Sequence, residues 1–457
     1  MALSRNVQPQ LLALLLILTL AGCTTTSRIT NTPITEVKPV DFTQMASGRK
    51  GQRSSEMGLV VAFSGGGTRA AAFSYGVLEK LSDTRYIRNG EERRLLDEID
   101  LISSVSGGSF TAAYYGLYGD RIFEDYEEVF LRRNVQKSLI GSLFNPLNWF
   151  RGRNRTELAI DYYDRNIFRG STFADIHESD GPRIEINATD LGNAERFVFS
   201  QEQFNMLCSD LDSLEVARAV AASSAVPVAF VPILLENYSG CNYSDPPHIE
   251  TARRNAADTP RVAALIENLD SYKDKEGRRY IHLVDGGITD NLGIRNLSNH
   301  IEMYGGALAA SRAHGNSPRY IIAIIVNAET SGEDPLGRST APPSTSEVIG
   351  AMTSAQLSRY NLETLALLKE SMQKWATELS TPERPVKAFV ITLDFDSIVN
   401  EEVRRLFNNM ATSFSLPDDE VDRLIEAGHR LLEASPEFQE LVATMQRDLQ
   451  QSAEPGI

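Results

Sequence analysis

Residues 59–81 read LVVAFSGGGTRAAAFSYGVLEKL, and this stretch decides the fold. The apolar run Leu59–Phe63 is too short for a helix and predicts a buried strand. The glycines at 65–67 then lead directly into an alanine-rich pattern typical of a helix. Unhindered amides at such a turn, backed by the positive end of a helix, favour negative charge, either a bound phosphate or an oxyanion formed during catalysis.

Strands that end in small residues recur along the chain. Ile99–Val105 leads into Ser106-Gly107-Gly108 and a helix-like stretch, and Tyr280–Asp285 leads into Gly286-Gly287. Further strands are predicted at Arg183–Leu191, Arg196–Ser200, Tyr320–Val326 and Val386–Leu393. Because these strands alternate with helical patterns, we expect an α/β fold with a mainly parallel central sheet.

The composition is that of an ordinary globular protein. The chain has 457 residues, of which 42% are hydrophobic, and this is enough for at least one large core. A formal net charge of −16 argues against binding to nucleic acid, or to an anionic membrane surface, through a broad basic patch. The sequence has no Cys-x-x-Cys or His-Glu-x-x-His motif for zinc, and Gly65–Gly67 lacks the Gly-Lys-Ser/Thr of a nucleotide P-loop. We therefore expect neither a metal nor a cofactor.

The first 22 residues are typical of a lipoprotein signal peptide. Arg5 gives a positive start, Leu11–Leu20 forms an apolar core, and Leu20-Ala21-Gly22-Cys23 resembles the lipobox of bacterial lipoproteins. This resemblance implies cleavage before Cys23 and lipidation of that cysteine. An uncleaved anchor is the alternative, although the apolar stretch is shorter than the roughly 20 residues that a bilayer requires. Thr24, and not an aspartate, follows Cys23, and this resembles the Gram-negative signal that sorts lipoproteins to the outer membrane. We therefore expect an exported outer-membrane lipoprotein that faces the periplasm.

Residues 23–56 are rich in Ser, Thr, Pro and charge, and they predict a flexible tether. Beyond Cys23 the chain contains the cysteines Cys208 and Cys241. In an oxidising compartment these two can form a disulfide, and a pair of free thiols is the alternative.

Ser106 is the candidate nucleophile. The strand-to-helix turn Ser104-Val105-Ser106-Gly107-Gly108 is nearly a Gly-x-Ser-x-Gly nucleophile elbow, with Ser104 in place of the first glycine. An acyl hydrolase also needs a base and preorganised donors for the oxyanion. Asp285, at a strand end before two glycines, is the candidate base, and Gly65–Gly67 can supply the donors. His282 is predicted by strand alternation to face away from Asp285, and we interpret it as a core residue or one that supports the site.

Five motifs together resemble the patatin-like phospholipase family, in its order and spacing over roughly residues 57–330. They are Gly65–Arg69, the elbow around Ser106, Ala188–Leu191, Ala222–Pro227 and Asp285–Asn291. The resemblance implies a three-layer α/β/α fold and a Ser-Asp dyad in which Ser106 attacks an acyl ester and Asp285 acts as base, without calcium. It also implies an oxyanion hole of Gly65, Gly66, Gly67 and Thr68, supported by Arg69, Ser104, Gly107, Gly108, Gly286 and Gly287.

The expected domains are an acyl hydrolase domain at 57–330 and a mostly helical C-terminal extension at 331–457 that contributes a strand. We expect a membrane-anchored serine acyl hydrolase, of the phospholipase A or lysophospholipase type, that acts on membrane lipids through an acyl-enzyme. We interpret the apolar stretch Leu139–Phe150 as part of a core helix, with a lid or membrane-contacting loop as the alternative, and its composition favours a lipid substrate. Two alternatives stay open: a non-catalytic lipoprotein that binds lipid or a partner with the same fold, and an esterase or thioesterase for soluble substrates.

Overall fold

The computed structural model describes residues 28–40, 53–88, 90–135, 137, 154–227, 229–331, 340 and 342–453. The predicted signal peptide, Cys23 and the apolar stretch Leu139–Phe150 lie outside these residues. Along the described part of the chain, no helix combines the length and the apolar character that crossing a bilayer requires.

The strands form a mixed central sheet and two small ones. In chain order they are β1 Thr32–Pro33, β2 Met57–Phe63, β3 Arg85–Arg88, β4 Glu91–Arg94, β5 Ile99–Val105, β6 Arg183–Asp190, β7 Glu195–Val198, β8 Ser209–Asp210, β9 Ile233–Glu236, β10 Tyr280–Asp285, β11 Tyr320–Val326 and β12 Lys387–Leu393. Within the described residues, the central sheet has eight strands in the order β12-β11-β2-β5-β6-β10-β9, with β7 also paired to β6. The run from β12 to β6 is parallel, and β10, β9 and β7 join it through antiparallel pairings. The expected mainly parallel α/β sheet is confirmed.

The helices, in chain order, are α1 Gly67–Asp83, α2 Gly107–Tyr118, α3 Ile122–Tyr126, α4 Arg155–Tyr163, α5 Phe173–Glu178, α6 Gln201–Met206, α7 Val216–Ser223, α8 Pro247–Asn255, α9 Pro260–Ser271, α10 Gly287–Asp290, α11 Arg295–Met303, α12 Ala307–His314, α13 Thr345–Leu379, α14 Glu401–Asn408, α15 Asp418–Ala434 and α16 Pro436–Ala453.

Alternation along β2 shows how the helices are layered. Leu59 and Phe63 point into a cluster that contains Phe73 of α1. Ala62 points the other way, into a second cluster that contains Met372 of α13. Because successive side chains of a strand face opposite sides, helices cover both faces of the sheet. The expected three-layer α/β/α arrangement is therefore confirmed.

Part of the predicted tether is packed on the domain. β1 pairs with β8, and the buried Asn31 side chain donates a hydrogen bond of 2.7 Å to Ser209 Oγ. Lys38 Nζ lies 2.5 Å from an Asp210 carboxylate oxygen and 2.7 Å from one of Asp212. Residues 28–40 thus differ from the expected flexible chain, because specific polar contacts hold them.

Cys208, next to β8, is joined to Cys241 by a disulfide, with a Cα–Cα distance of 5.4 Å.

The C-terminal extension packs α15 directly against α1. Gly76 of α1 faces the backbone of Ile425, and Gly428 of α15 faces the carbonyl of Phe73. A Cβ atom at Gly428 would lie 2.6 Å from the Phe73 oxygen, and a Cβ atom at Gly76 would clash with the Ile425 oxygen. The two helices can therefore approach this closely only where both carry glycine.

We expect Gly76→Ala to lower the free energy of unfolding by about 1–3 kcal/mol, because the added methyl group overpacks the α1–α15 contact. Gly350→Ala is the matched control, since Gly350 is an exposed helical glycine of α13 with no atom within 4 Å of an added Cβ. It should raise the free energy of unfolding by about 0.5–1 kcal/mol through helix propensity. Denaturant unfolding measures both, and equal stabilities of Gly76→Ala and wild type would contradict the close helix contact.

Candidate active site

β5 and β10 approach the same point on β6 from opposite directions. β5 runs parallel to β6 as far as Val105, which lies opposite Asn187. β10 runs antiparallel to β6 and ends with Asp285 opposite Ala188, the next residue along β6. The ends of β5 and β10 therefore meet, and Ser106, directly after Val105, lies beside Asp285. The sequence placed both residues at strand ends, but it did not predict their opposite directions of approach.

Ser106 occupies a strained turn between β5 and α2. Its φ is 50° and its ψ is −119°, a backbone conformation that non-glycine residues rarely adopt. The next two glycines are required by close contacts: a Cβ at Gly107 would clash with the Gly67 carbonyl, and one at Gly108 would lie 2.7 Å from the Ser64 carbonyl oxygen. Ser104, the departure from the usual elbow, is fully buried and donates a hydrogen bond of 3.0 Å to the Glu185 carbonyl. The hydroxyl is thus satisfied within the sheet.

The side chains of Ser106 and Asp285 are in direct contact. Ser106 Oγ donates a hydrogen bond of 3.0 Å to Asp285 Oδ2, and the Gly287 amide donates one of 2.8 Å to Asp285 Oδ1. Both residues are nearly withdrawn from solvent, at 6% and 8% exposure. Burial raises the pKa of Asp285 to about 6, against the opposing effect of the two hydrogen bonds. The carboxylate is therefore a stronger base than an ordinary aspartate and is still ionised at neutral pH.

The glycine turn lies against this pair. A Cβ atom at Gly65 would lie 3.3 Å from the Ser106 Cβ. The backbone of the glycine turn is therefore in direct contact with Ser106. The Gly65 amide donates to the Asn291 carbonyl at 3.1 Å, and the Thr68 amide donates to the Ser413 carbonyl at 2.8 Å. Of the four predicted oxyanion residues, Gly66 and Gly67 are those whose amides donate to no other backbone carbonyl among the described residues. Their φ angles of 143° and 61° lie in the region that favours glycine.

Arg69 holds the glycine turn in place. Its guanidinium donates to the Ala328 carbonyl at 2.9 Å and to the Met410 carbonyl at 2.8 Å. Burial lowers the pKa of Arg69 to about 10, which leaves the side chain charged at neutral pH. The glycine turn is thereby connected to the segment that follows β11 on one side and to the C-terminal extension on the other.

Ser223, at the end of α7, links the two halves of the site, and no role was predicted for it. Its Oγ accepts a hydrogen bond of 2.8 Å from the Ser106 amide and donates one of 2.6 Å to the Asn187 carbonyl. Its own carbonyl accepts the Gly286 amide at 3.1 Å. Its only sequence signal was membership of the Ala222–Pro227 motif.

The histidines do not complete a triad with this pair in the contacts that the structure shows. His282 is exposed on β10, which differs from the expected core or supporting role, because it lies on the solvent side of an alternating strand. His177, His248 and His429 each hydrogen-bond a carboxylate elsewhere, namely Asp212, Glu202 and Glu79. Asp285 is therefore the base that the geometry offers to Ser106.

We expect Asp285→Asn to raise the free energy of unfolding at pH 8 by about 1–3 kcal/mol, since a raised pKa means that the folded state disfavours the carboxylate. For the wild type, stability should fall as pH rises from about 4, the usual pKa of an aspartate, to about 6 and stay reduced above that. The nearly isosteric amide removes this loss: its oxygen can accept from the Gly287 amide, and its NH2 group can donate to Ser106 Oγ. Denaturant unfolding between pH 4 and pH 8 measures the difference.

The matched control is Asp270→Asn. A hydrogen bond from Arg253 lowers the pKa of Asp270 to about 2, so its carboxylate form is favoured by folding and its removal should not stabilise the protein at pH 8. Equal stability of Asp285→Asn and wild type at pH 8 would show that the Asp285 pKa is not raised.

Among solved structures, human GIVD cytosolic phospholipase A2 is similar at 11% identity, covering 90% of this chain and 66% of that chain with a TM-score of 0.42. The same human protein with methyl gamma-linolenyl fluorophosphonate is similar at 11% identity, 90% and 64% coverage and a TM-score of 0.37. This chain thus spans less than two thirds of the length of those human chains. A search of curated proteins found no match.

A family model described as patatin-like phospholipase matches residues 61–298. These residues are more than half of the chain and contain the glycine turn, Ser106, Ser223 and Asp285. The chain belongs to the patatin-like phospholipase family.

Proposed function

We propose that this protein is a serine acyl hydrolase of the phospholipase A or lysophospholipase type that cleaves fatty acyl esters of membrane lipids. The observation that carries the proposal is the 3.0 Å hydrogen bond between Ser106 Oγ and the buried Asp285 carboxylate at a strained strand-to-helix turn. Membership of the patatin-like phospholipase family supports a lipid ester as substrate.

In the first half of the proposed reaction, Asp285 accepts the Ser106 proton while Oγ attacks the acyl carbonyl carbon. The Gly66 and Gly67 amides stabilise the negative charge that develops on the carbonyl oxygen. Collapse of this intermediate breaks the ester bond, and the leaving alcohol of the lipid takes the proton from Asp285. An acyl-enzyme on Ser106 remains.

In the second half, Asp285 accepts a proton from water, whose oxygen attacks the acyl-enzyme. The same amides stabilise the second oxyanion, and collapse releases the fatty acid and returns the proton to Ser106 Oγ. Backbone amides supply the oxyanion stabilisation in both halves, so we expect the reaction to proceed without calcium.

We further propose that the enzyme is an exported lipoprotein, attached to the outer membrane through Cys23 and facing the periplasm. The lipobox-like sequence and the Cys208–Cys241 disulfide, which suits an oxidising compartment, support this location. Attachment to the membrane would raise the effective concentration of lipid at Ser106 without any added contact. Mass spectrometry of the mature N-terminal peptide tests the anchor, since Cys23 should carry acyl groups.

The central test is labelling with a fluorophosphonate, together with fatty acid release from mixed phospholipid vesicles. Wild type should be labelled at Ser106 and release fatty acid equally with and without a calcium chelator. Ser106→Ala should lose both signals, and Asp285→Asn should lose about 10²-fold or more of the rate because the base is gone. A folded wild type that neither labels nor hydrolyses would favour the alternative of a non-catalytic lipid-binding lipoprotein.

We expect Ser223→Ala to lower kcat by about 10–100-fold with little change in KM, because the Ser106 amide loses the partner that fixes the elbow. Ser224→Ala is the matched control: the Ser224 hydroxyl is equally buried and donates at 2.8 Å to the Val220 carbonyl within its own helical turn. Steady-state kinetics on a soluble short-chain ester separates kcat from KM. Equal kcat values for the two variants would remove the positioning role of Ser223.

A further inference from the structure

The first third of α13 projects beyond the edge of the sheet that carries Ser106. Glu329 follows β11 by three residues, and its carboxylate accepts hydrogen bonds from the Asn361 side chain, at 2.6 Å, and from the Ser358 hydroxyl. These contacts fix the level at which α13 crosses the edge of the sheet. Residues 345–357 precede that level, and at 1.5 Å per residue they extend about 20 Å past it. We call residues 345–357 the arm.

The arm has the wrong composition for a helix that faces water. Between Glu347 and Arg359 it contains no charged residue. Val348 is 39% exposed and Met352 is 59% exposed. A helix that faces solvent normally carries charged residues on its outer faces. The composition of the arm is instead typical of a helix whose surface contacts an apolar partner or a membrane.

A second apolar patch lies on and beside α14. Val399 is 96% exposed, Val403 42% and Leu406 39%, and we call these three residues the triad. The amide of Ser331, which follows β11, donates a hydrogen bond of 3.2 Å to the Asn408 side chain at the end of α14. α14 therefore lies at the same edge of the sheet as Glu329, which binds α13.

The triad is close in the chain to residues that hold the oxyanion turn. The Met410 carbonyl accepts the Arg69 guanidinium, and the Ser413 carbonyl accepts the Thr68 amide. Only three residues lie between Leu406 and Met410 along the chain. The triad therefore lies near the glycine turn, and a surface that binds the triad would lie on the same side of the molecule as Ser106.

The charges around the triad indicate which kind of bilayer surface it can contact. α14 carries two acidic and two basic residues, and one pair of them, Arg405 and Glu401, forms an ion pair at 3.0 Å. The helix is thus formally neutral, and the chain as a whole has a net charge of −16. An anionic bilayer would repel such a protein, whereas a zwitterionic bilayer imposes no such cost.

We propose that the arm and the triad together form a docking face that lies in the surface of a zwitterionic lipid bilayer and brings Ser106 to its lipid substrate. This rests on the proposed acyl hydrolase function. The arm is too short to span a bilayer, so its place is the interfacial layer, where apolar side chains enter the boundary between head groups and acyl chains. A second copy of the chain is the competing occupant, and the experiments below distinguish it.

The first experiment measures membrane contact and does not depend on catalysis. A fluorescent dye is attached at a cysteine replacing Val399 or Met352 in the full chain, reconstituted in vesicles of phosphatidylcholine and phosphatidylethanolamine that contain brominated acyl chains. We expect quenching of at least twofold at both positions, unchanged between low and high salt because apolar burial drives the contact. Dyes at Ile87 and Leu308, which are 55% and 43% exposed and lie away from this edge, should not be quenched.

Absence of quenching at positions 399 and 352 would overturn the docking face. Protection of these dyes in the absence of lipid, increasing with protein concentration, would also overturn it and would identify a second copy as the occupant. Quenching at all four positions would show contact without a defined face, which likewise contradicts the proposal.

The second experiment separates docking from chemistry. The triple variant Val399→Asp, Val403→Asp and Leu406→Asp should lose at least tenfold in the rate of fatty acid release from these vesicles. Its rate on a soluble short-chain ester should stay within twofold of wild type, which also reports that the variant is folded. The control Ile87→Asp with Leu308→Asp should keep both rates.

Equal losses on both substrates in the triple variant would contradict a role limited to docking. A wild type inactive on both substrates would refute the proposed function instead, and the quenching result would still decide whether the face contacts lipid.

Discussion

The hydrogen bond between Ser106 and Asp285 depends on where two strands end on a third. β10 ends with Asp285, which lies opposite Ala188 of β6. β5 ends with Val105, the residue before Ser106, and Val105 lies opposite Asn187 of β6. A shift of one residue in either pairing would move one side chain to the other face of the sheet. The register of β6 therefore sets the geometry of the Ser106–Asp285 pair. Gly107 and Gly108, which follow Ser106, are required because the backbone of residues 63–67 passes too close for a Cβ atom at either position.

The C-terminal extension is part of this construction. The amide of Thr68 and the guanidinium of Arg69 both donate to carbonyls between Met410 and Ser413. A Cβ at Gly67 would clash with the Ser413 carbonyl, so the two segments are in direct backbone contact. The proposed mechanism uses Gly66 and Gly67 as oxyanion donors, which requires a rigid turn, and the Met410 and Ser413 carbonyls of the extension help to hold it.

Local patterns in the sequence predicted the parts of the fold that local physics controls. The apolar runs at Leu59–Phe63 and Tyr320–Val326 became buried strands, and the glycine turn became the start of a helix. Ser106 and Asp285 were identifiable because a strand that ends in glycines has few structural outcomes. The antiparallel direction of β10 was not predictable in this way, since direction is a property of pairing with a distant strand and leaves no periodic signal.

Contacts made between distant segments were missed for the same reason. Ser223 reads as one of several small residues at a helix end, and only its position beside the Ser106 amide gives it a role. Residues 28–40 have the composition of a linker, yet Asn31 and Lys38 find partners more than 160 positions away. Polar composition indicates that a segment can remain unfolded alone, but it does not exclude attachment to a surface that supplies matching groups.

The attachment of Asn31 changes the geometry of the proposed anchor. If the lipid is carried by Cys23, only the chain from Cys23 to Asn31 lies between the membrane and the folded body. Fully extended, those eight steps span at most about 28 Å, roughly the thickness of the hydrocarbon core of a bilayer. A tether that ran free to residue 56 would reach about four times as far. An anchor at Cys23 would thus confine the body to a thin layer above the leaflet that holds it, and the substrates within reach would be the lipids of that leaflet.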